Sequence, residues 1–191
     1  MIAAILLAAG QSKRMIDENK LSKKFQNTPL INHSIKNILS SHIDELIIVV
    51  GYQKEIIENL IEKNNKIKII FNKNFKTGMA SSIKVGLSLL SKKTEAFFIC
   101  LGDMPMINKK IYNQLISYKN KKDIIVPTYN GIQGNPVLFP KFMKPSIMSI
   151  NGDVGAKKIL EQNKEKILKV KIDDINITRG FNTKNNFNSS F

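Results

Sequence analysis

The sequence predicts an open α/β sheet, largely parallel and covered by helices on both faces, in one domain. Two observations lead to it. Short, continuously apolar runs that end in glycine or polar turns recur along the chain, and segments with helical spacing of apolar residues separate them. Continuous apolar runs are the mark of strands buried on both faces, and strict strand–helix alternation is the mark of a parallel sheet. A third observation bounds the architecture: no linker, internal repeat or change of composition interrupts the 191 residues, a length that supports a substantial core.

Residues 2–7 form the first strand, which turns through Ala8, Ala9 and Gly10 into a polar, basic loop. Pro29 then precedes Leu30, Ile31, Ile35, Ile38 and Leu39, a helical spacing with proline at the helix start. Residues 45–51 read as a second buried strand, 53–63 as a helix through Ile56, Ile57, Leu60 and Ile61, and 67–71 as a third strand. A helix over 81–90 is reached through Thr77-Gly78. The very apolar strand 96–101 runs directly into Gly102-Asp103-Met104-Pro105. A helix over 109–119, a strand over 123–126, an extended segment over 135–139, a helix over 154–161 and a strand over 166–172 complete the sheet before a polar tail.

Composition narrows the function classes. Hydrophobic residues make up 42% and charged residues 24%, the balance of a globular protein in water. No apolar run reaches membrane-spanning length, and the start of the chain lacks the basic and apolar regions of a signal peptide, so no membrane role is expected. A single cysteine, Cys100, excludes an internal disulfide framework and points to a reduced, cytoplasmic setting. The net charge of +15 raises the question of nucleic acid. The lysines, however, are spread along the chain on the polar positions of periodic segments, beside abundant Asn and Ile. With no helix-turn-helix, zinc-finger or aromatic RNA-binding pattern, solvated faces account for the charge.

In open α/β sheets, ligands sit at the carboxyl ends of the strands. The first strand delivers a small-residue turn whose backbone N–H groups can approach a phosphate, followed by the cations Arg14 and Lys20. The same residues also suit a plain strand end with a solvated loop. The third strand delivers Asn72 and Gly78, with Ser81-Ser82 at the start of the following helix as caps or ligand contacts. The strand 96–101 delivers Asp103, placed either to hold a divalent metal beside phosphate oxygens, with Mg2+ as the natural choice, or to cap a turn.

Taken together, these segments resemble the molybdenum cofactor nucleotidyltransferases. The resemblance runs through Leu7-Ala8-Ala9-Gly10, Ser12, Arg14-Met15, Asn19-Lys20-Leu21, Asn72, Gly78-Met79-Ala80-Ser81-Ser82 and Leu101-Gly102-Asp103-Met104-Pro105. It continues through Gly134-Asn135-Pro136-Val137 and Gly152-Asp153-Val154-Gly155-Ala156. It spans nearly the whole chain in order and is greatest to the cytidylyltransferase branch, whose loop shows Ala8-Ala9-Gly10 where the guanylyl branch tends to Ala-Gly-Gly. It implies a three-layer α/β/α, Rossmann-like nucleotidyltransferase fold over residues 1–191 and transfer of CMP from CTP to the terminal phosphate of molybdopterin, with Mg2+ and release of pyrophosphate. It further implies that Arg14 and Lys20 stabilise the triphosphate and that Asp103 binds the metal. Ala8, Ala9, Gly10, Ser12, Asn72, Gly78 and Ser82 would hold the nucleotide, and Asn135 and Asp153 would meet the second substrate. Where the family often carries a second metal-assisting Asp, this chain has Asn182, a metal ligand through its amide oxygen or a helix cap.

Other readings stay open on the residues alone. Guanylyl transfer to the same cofactor, or nucleotidyl transfer to a sugar or polyol phosphate, keeps the fold and changes the substrate. A non-catalytic cofactor carrier keeps the scaffold and loses the chemistry, against which the Arg14, Lys20 and Asp103 set argues. A molybdoenzyme recipient or an insertion chaperone is the natural partner class for such a product. His33 and His42 read as helix and helix-end residues without nucleophile partners, and Cys100 reads as an inert buried thiol.

Overall fold

The computed structural model describes residues 1–11, 19–153 and 155–181. Its strands are β1 (Ile2–Ala8), β2 (Lys24–Phe25), β3 (Thr28–Pro29), β4 (Glu45–Val50), β5 (Ile67–Phe71), β6 (Ala96–Leu101), β7 (Ile124–Tyr129), β8 (Ile132–Gln133), β9 (Val137–Pro140) and β10 (Ile167–Lys171). The α-helices are α1 (Leu30–Leu39), α2 (Lys54–Glu58), α3 (Met79–Ser88), α4 (Lys109–Ser117), α5 (Lys144–Met148) and α6 (Ala156–Gln162).

The main sheet has the order β10-β7-β9-β6-β1-β4-β5, with β8 added against β7. β1 lies in its interior, parallel to β4 on one side and β6 on the other, with Leu6 opposite both Ile48 and Cys100. β9 runs antiparallel between β6 and β7, so the sheet is mostly parallel with one reversed member on its main path.

Strand pleating sorts alternate side chains onto two faces. Ala4, Leu6, Leu46, Ile48, Phe98 and Cys100 share one core with Ile31, Ile35 and Ile38 of α1 and Ile111 and Leu115 of α4. Ala3, Ile5, Ile47, Val49, Phe97 and Ile99 share the other with Ile83 and Leu87 of α3, Ile147 of α5 and Ile159 of α6. The three layers predicted from the alternation are present. Strands β1, β4 and β6 are apolar almost throughout because both of their faces are covered.

The β2–β3 hairpin and β8 are additions to the elements expected from the sequence, and three other details differ. The helix expected over 53–63 covers only Lys54–Glu58, since the chain beyond turns at Asn59 and Asn64 accepts from Lys66 N through its side chain at 2.9 Å. α3 begins two residues before the expected start, at Met79. The segment 141–148, for which the sequence suggested no element, forms a short 3-10 turn and α5.

Candidate active site

β1 and β6 are neighbours and parallel, so the chain leaves both at the same edge of the sheet. The loop after β1 therefore faces the loop after β6, and Lys20 and Asp103 meet there. Lys20 donates to Asp103 Oδ2 at 2.5 Å, and each side chain is 18% exposed. A charge-assisted bond in a partly dehydrated position is stronger than one in bulk water, and it holds both groups at defined points.

Each partner is braced by its surroundings. Asn19, which is buried, accepts from Leu21 N at 3.1 Å and donates to Tyr52 O at 3.2 Å, fixing the turn that carries Lys20. The loop carrying Asp103 is held from several sides. Gly102 N donates to Leu7 O at 3.1 Å, and Phe181 N donates to Asp103 O at 2.8 Å. From α1, Ser34 donates to Gly102 O at 3.2 Å and Asn37 to Pro105 O at 2.9 Å. The carboxylate thus projects from a rigid backbone.

These residues floor a cavity of about 440 Å³, a size that accepts a nucleotide-sized ligand. Ala9, Gly10 and Gln11 form one wall, and the segment from Phe75 to Met79 with Ser82 forms another. Lys20, Lys76, Asp103 and Asp153 are the charged side chains lining it among the described residues. Beneath the first wall, packing is tight. A Cβ on Gly51 would stand 2.7 Å from the Cβ atoms of both Ala9 and Phe75 and 2.9 Å from Ala9 O, so only glycine lets these two elements close together.

Gly78 needs its glycine for two reasons. Its φ is +111°, and an added Cβ would lie 2.5 Å from Gly152 O and Asp153 N. The 152–153 backbone fills that space, and Gly78 itself lines the cavity. Gly152 O accepts from Ala80 N at 3.2 Å, and Asp153 Oδ1 accepts from Met79 N at 3.2 Å. Asp153, distant in sequence, is thereby fastened to the start of α3 at the cavity rim.

The remaining expected residues fall into distinct places. Ala8 is fully buried with its side chain in the core and is not among the residues that line the cavity. Asn72 stands behind the wall and not on it. Only 1% exposed, it donates to Ser81 Oγ at 2.8 Å and Ser82 Oγ at 3.0 Å and accepts from Asn74 N at 3.0 Å, so it positions the serines. Ser82 lines the cavity; Asn135 does not, its backbone N–H bonding Ile177 O at 2.8 Å. Ser12, Arg14 and Asn182 lie outside the described residues. Phe75 and Lys76 are lining residues that the sequence patterns did not single out, and Thr77 and Met79, which appear there only beside Gly78 without an assigned role, line it too. Their signal is positional: they follow β5 at the ligand-bearing edge.

Among the described residues no group of three His, Cys, Asp or Glu could hold a metal ion. Asp103 and Asp153 nevertheless share the cavity, and one or two carboxylates completed by phosphate oxygens and water are the donor set Mg2+ favours. The residues fit a hard divalent cation that arrives with a polyphosphate. Cys100 takes no part: it is buried, and desolvation pushes its thiol up to about 12. His33 bonds Phe25 O through Nε2 at 2.8 Å and serves the β2–β3 hairpin.

Comparison with known proteins places these features. Residues 4–167 match the family model of the MobA-like NTP transferase domain. The chain is 31% identical over 140 residues to a molybdenum cofactor cytidylyltransferase of Escherichia coli, covering 73% of this chain and 70% of that protein. It is 28% identical over 151 residues to a probable molybdenum cofactor guanylyltransferase of Methanosarcina mazei, covering 76% and 66%. The crystal structure of Rv0371c from Mycobacterium tuberculosis superposes with a TM-score of 0.86 at 18% identity, covering 98% of this chain and 95% of that one. A manganese complex of that protein superposes at 0.77, also at 18% identity, covering 91% and 88%.

Proposed function

The chain belongs to the MobA-like NTP transferase domain family, and from that premise we propose that it transfers CMP from CTP to the terminal phosphate of a molybdopterin-type cofactor, releasing pyrophosphate. The observation that carries this reading is the Lys20–Asp103 pair on the floor of a nucleotide-sized cavity at the carboxyl ends of β1 and β6.

In this reaction an acceptor phosphate oxygen forms a bond to the α-phosphorus while the bond from that phosphorus to the β-phosphate bridging oxygen breaks in line. Little covalent work falls to the protein, which positions the phosphates and neutralises charge. The amides of Ala9 and Gly10 and the Ser82 hydroxyl border the nucleotide. Lys20 donates to the triphosphate and to the departing pyrophosphate, with Arg14 assigned to the same task and Ser12 to the nucleotide. Asp103 would hold the divalent cation, Mg2+ in this proposal, with Asn182 or Asp153 as a further oxygen donor. The cation supplies Lewis-acid polarisation of the phosphoryl oxygens. Lys20 and Asp103 balance each other's charge; bound nucleotide and cation would offer each a stronger opposite charge. Asp153 and Asn135 are assigned to the acceptor.

The choice of cytidine rests on Ala9. Its methyl group packs in the core where Gly51 and Phe75 close on the turn, at the position where the guanylyl branch tends to carry glycine. Incubation with each NTP, Mg2+ and loaded cofactor, with pyrophosphate as readout, tests the assignment. CTP should give at least tenfold more product than GTP or ATP, a difference of about 1.4 kcal/mol. Equal yields from CTP and GTP would reject the choice of base but leave nucleotidyl transfer standing.

A further inference from the structure

A second hollow lies at the opposite end of the sheet, where β6 begins and β9 ends. Its volume is about 740 Å³, and its floor is apolar, built from Pro140, Phe142, Pro145 and Met148. The segment 141–150 is apolar on both sides. Met143, Ile147 and Ile150 point into the core, while Phe142 is 46% exposed and Met148 38% exposed. The inward set accounts for the fold of this segment, and the outward set is not needed for it. Contiguous exposed apolar surface of this kind marks an interaction site more often than isolated exposed residues do.

The rim is cationic. Lys121, Lys141 and Lys144 line the hollow, and Lys166 Nζ stands 5.9 Å from the Phe142 ring centroid. Glu95 is the acidic side chain lining it, and its charge is already answered: Oε2 accepts from Lys119 Nζ at 2.7 Å, and Oε1 lies 3.6 Å from the amino terminus. An apolar floor within a positive rim is complementary to a bulky apolar side chain flanked by carboxylates.

We propose that this groove docks an acidic, apolar peptide segment of a partner protein. The shape favours a peptide over a lipid surface, since the apolar side chains line a hollow that receives a side chain, whereas a bilayer needs apolar groups that protrude. It also disfavours nucleic acid, because Phe142 is the single aromatic lining residue among those described and offers no stacking series. Docking here leaves the cleft at the other end of the sheet open, so a partner can be held while nucleotide enters and leaves.

The test is fluorescence anisotropy of the full chain with a fluorescein-labelled peptide of sequence EDEDLFDELDED at about 0.1 M salt. A version with Ser in place of Leu and Phe, and vesicles of phosphatidylglycerol and phosphatidylcholine, serve as comparisons. The apolar peptide should bind in the micromolar range, and the Ser version roughly tenfold or more weakly. Phe142→Asp and Lys144→Glu should each weaken binding by a similar factor while nucleotidyl transfer is unchanged. Lys63→Glu, a charge change remote from the groove, should leave binding within twofold. Lys144→Glu, with a melting curve, decides the matter if Phe142→Asp fails to fold. Equal binding of the two peptides, or equal weakening by Lys63→Glu, would reduce the groove to general charge and overturn the proposal. So would absence of peptide binding, or groove-dependent binding of the vesicles in its place.

Discussion

Replacing Asp103 separates chemistry from architecture. Asp103→Ala removes one partner of an ammonium group that is 18% exposed, a position between a surface pair, worth up to about 1 kcal/mol, and a fully buried one, worth about 3–5 kcal/mol when broken. Because the cavity opens to water that can rehydrate Lys20, a loss of about 1–2 kcal/mol is expected. For a domain of this size that is a fall in Tm of about 3–6 °C. The loop itself should stay in place, since its anchors are backbone bonds to Leu7 and Phe181 and side-chain bonds from Ser34 and Asn37, which the substitution leaves intact. Asp103→Asn keeps an oxygen acceptor for Lys20 and should cost less than about 1 kcal/mol. Activity should behave differently. Both variants lose the negative charge that would hold the cation, and a loss of about 10²–10³ in turnover, or about 3–4 kcal/mol, is expected of each. Pyrophosphate release with CTP, Mg2+ and loaded cofactor, measured alongside melting curves, reads the two effects. Turnover of Asp103→Asn within threefold of the unaltered chain would refute the metal role. A Tm loss beyond about 10 °C in Asp103→Ala would show that the residue is chiefly structural.

Three other positions probe the walls and the core. Gly78→Ala places a methyl group 2.5 Å from Gly152 O at a positive φ, so it should cost about 2–3 kcal/mol by denaturant titration and raise KM for CTP. Gly51→Ala should push Ala9 and Phe75 apart and raise KM for CTP roughly tenfold, about 1.4 kcal/mol; adding Ala9→Gly should recover part of that loss in a double-mutant cycle, and simple additivity would deny the contact. Cys100 should resist iodoacetamide in the native chain at pH 8, because its buried thiol, raised to about 12, stays protonated, and should react at the rate of global unfolding. In the unfolded chain the same thiol ionises from about pH 8.5, so its protonated burial supports folding below that pH and that support declines as pH rises towards 12.

Much of this architecture is legible in the sequence because burial on both faces leaves an unmistakable trace. β1, β4 and β6 are apolar at nearly every position, and the glycine or polar turn after each marks the edge where ligands sit. Asp103 and Gly78 are legible for the same reason, one directly after an apolar strand and the other before a helix. The hidden features depend on contacts distant in sequence. The reversal of β9 between β6 and β7 is not written in 137–140, since an apolar strand reads the same in either direction. Likewise, nothing around Asn72 distinguishes an amide turned inward to hold Ser81 and Ser82 from one turned towards a ligand. The β2–β3 hairpin turns through Gln26 and Asn27, both at positive φ without a glycine to announce them. By contrast, Asn130-Gly131, at the turn between β7 and β8, is a recognisable hairpin signal in the sequence, although β8 does not figure among the expected strands. Phe75, Lys76 and Thr77 have no periodicity to reveal them, because a loop residue's direction is set by the elements on either side of it.

Nucleotidyl transfer to a pterin phosphate, in the cleft between the Ala9–Gly10 turn and the start of α3, is tested most directly by identifying the product. The chain is incubated with α-labelled CTP, Mg2+ and molybdopterin-type cofactor, and the mass of the labelled product is determined. The expected product is a cytidine dinucleotide form of the cofactor, formed in equal amount with pyrophosphate and absent when Asp103 is replaced. Label transferred to a sugar or polyol phosphate but not to the pterin, or no transfer by a folded chain that binds both substrates, would contradict it.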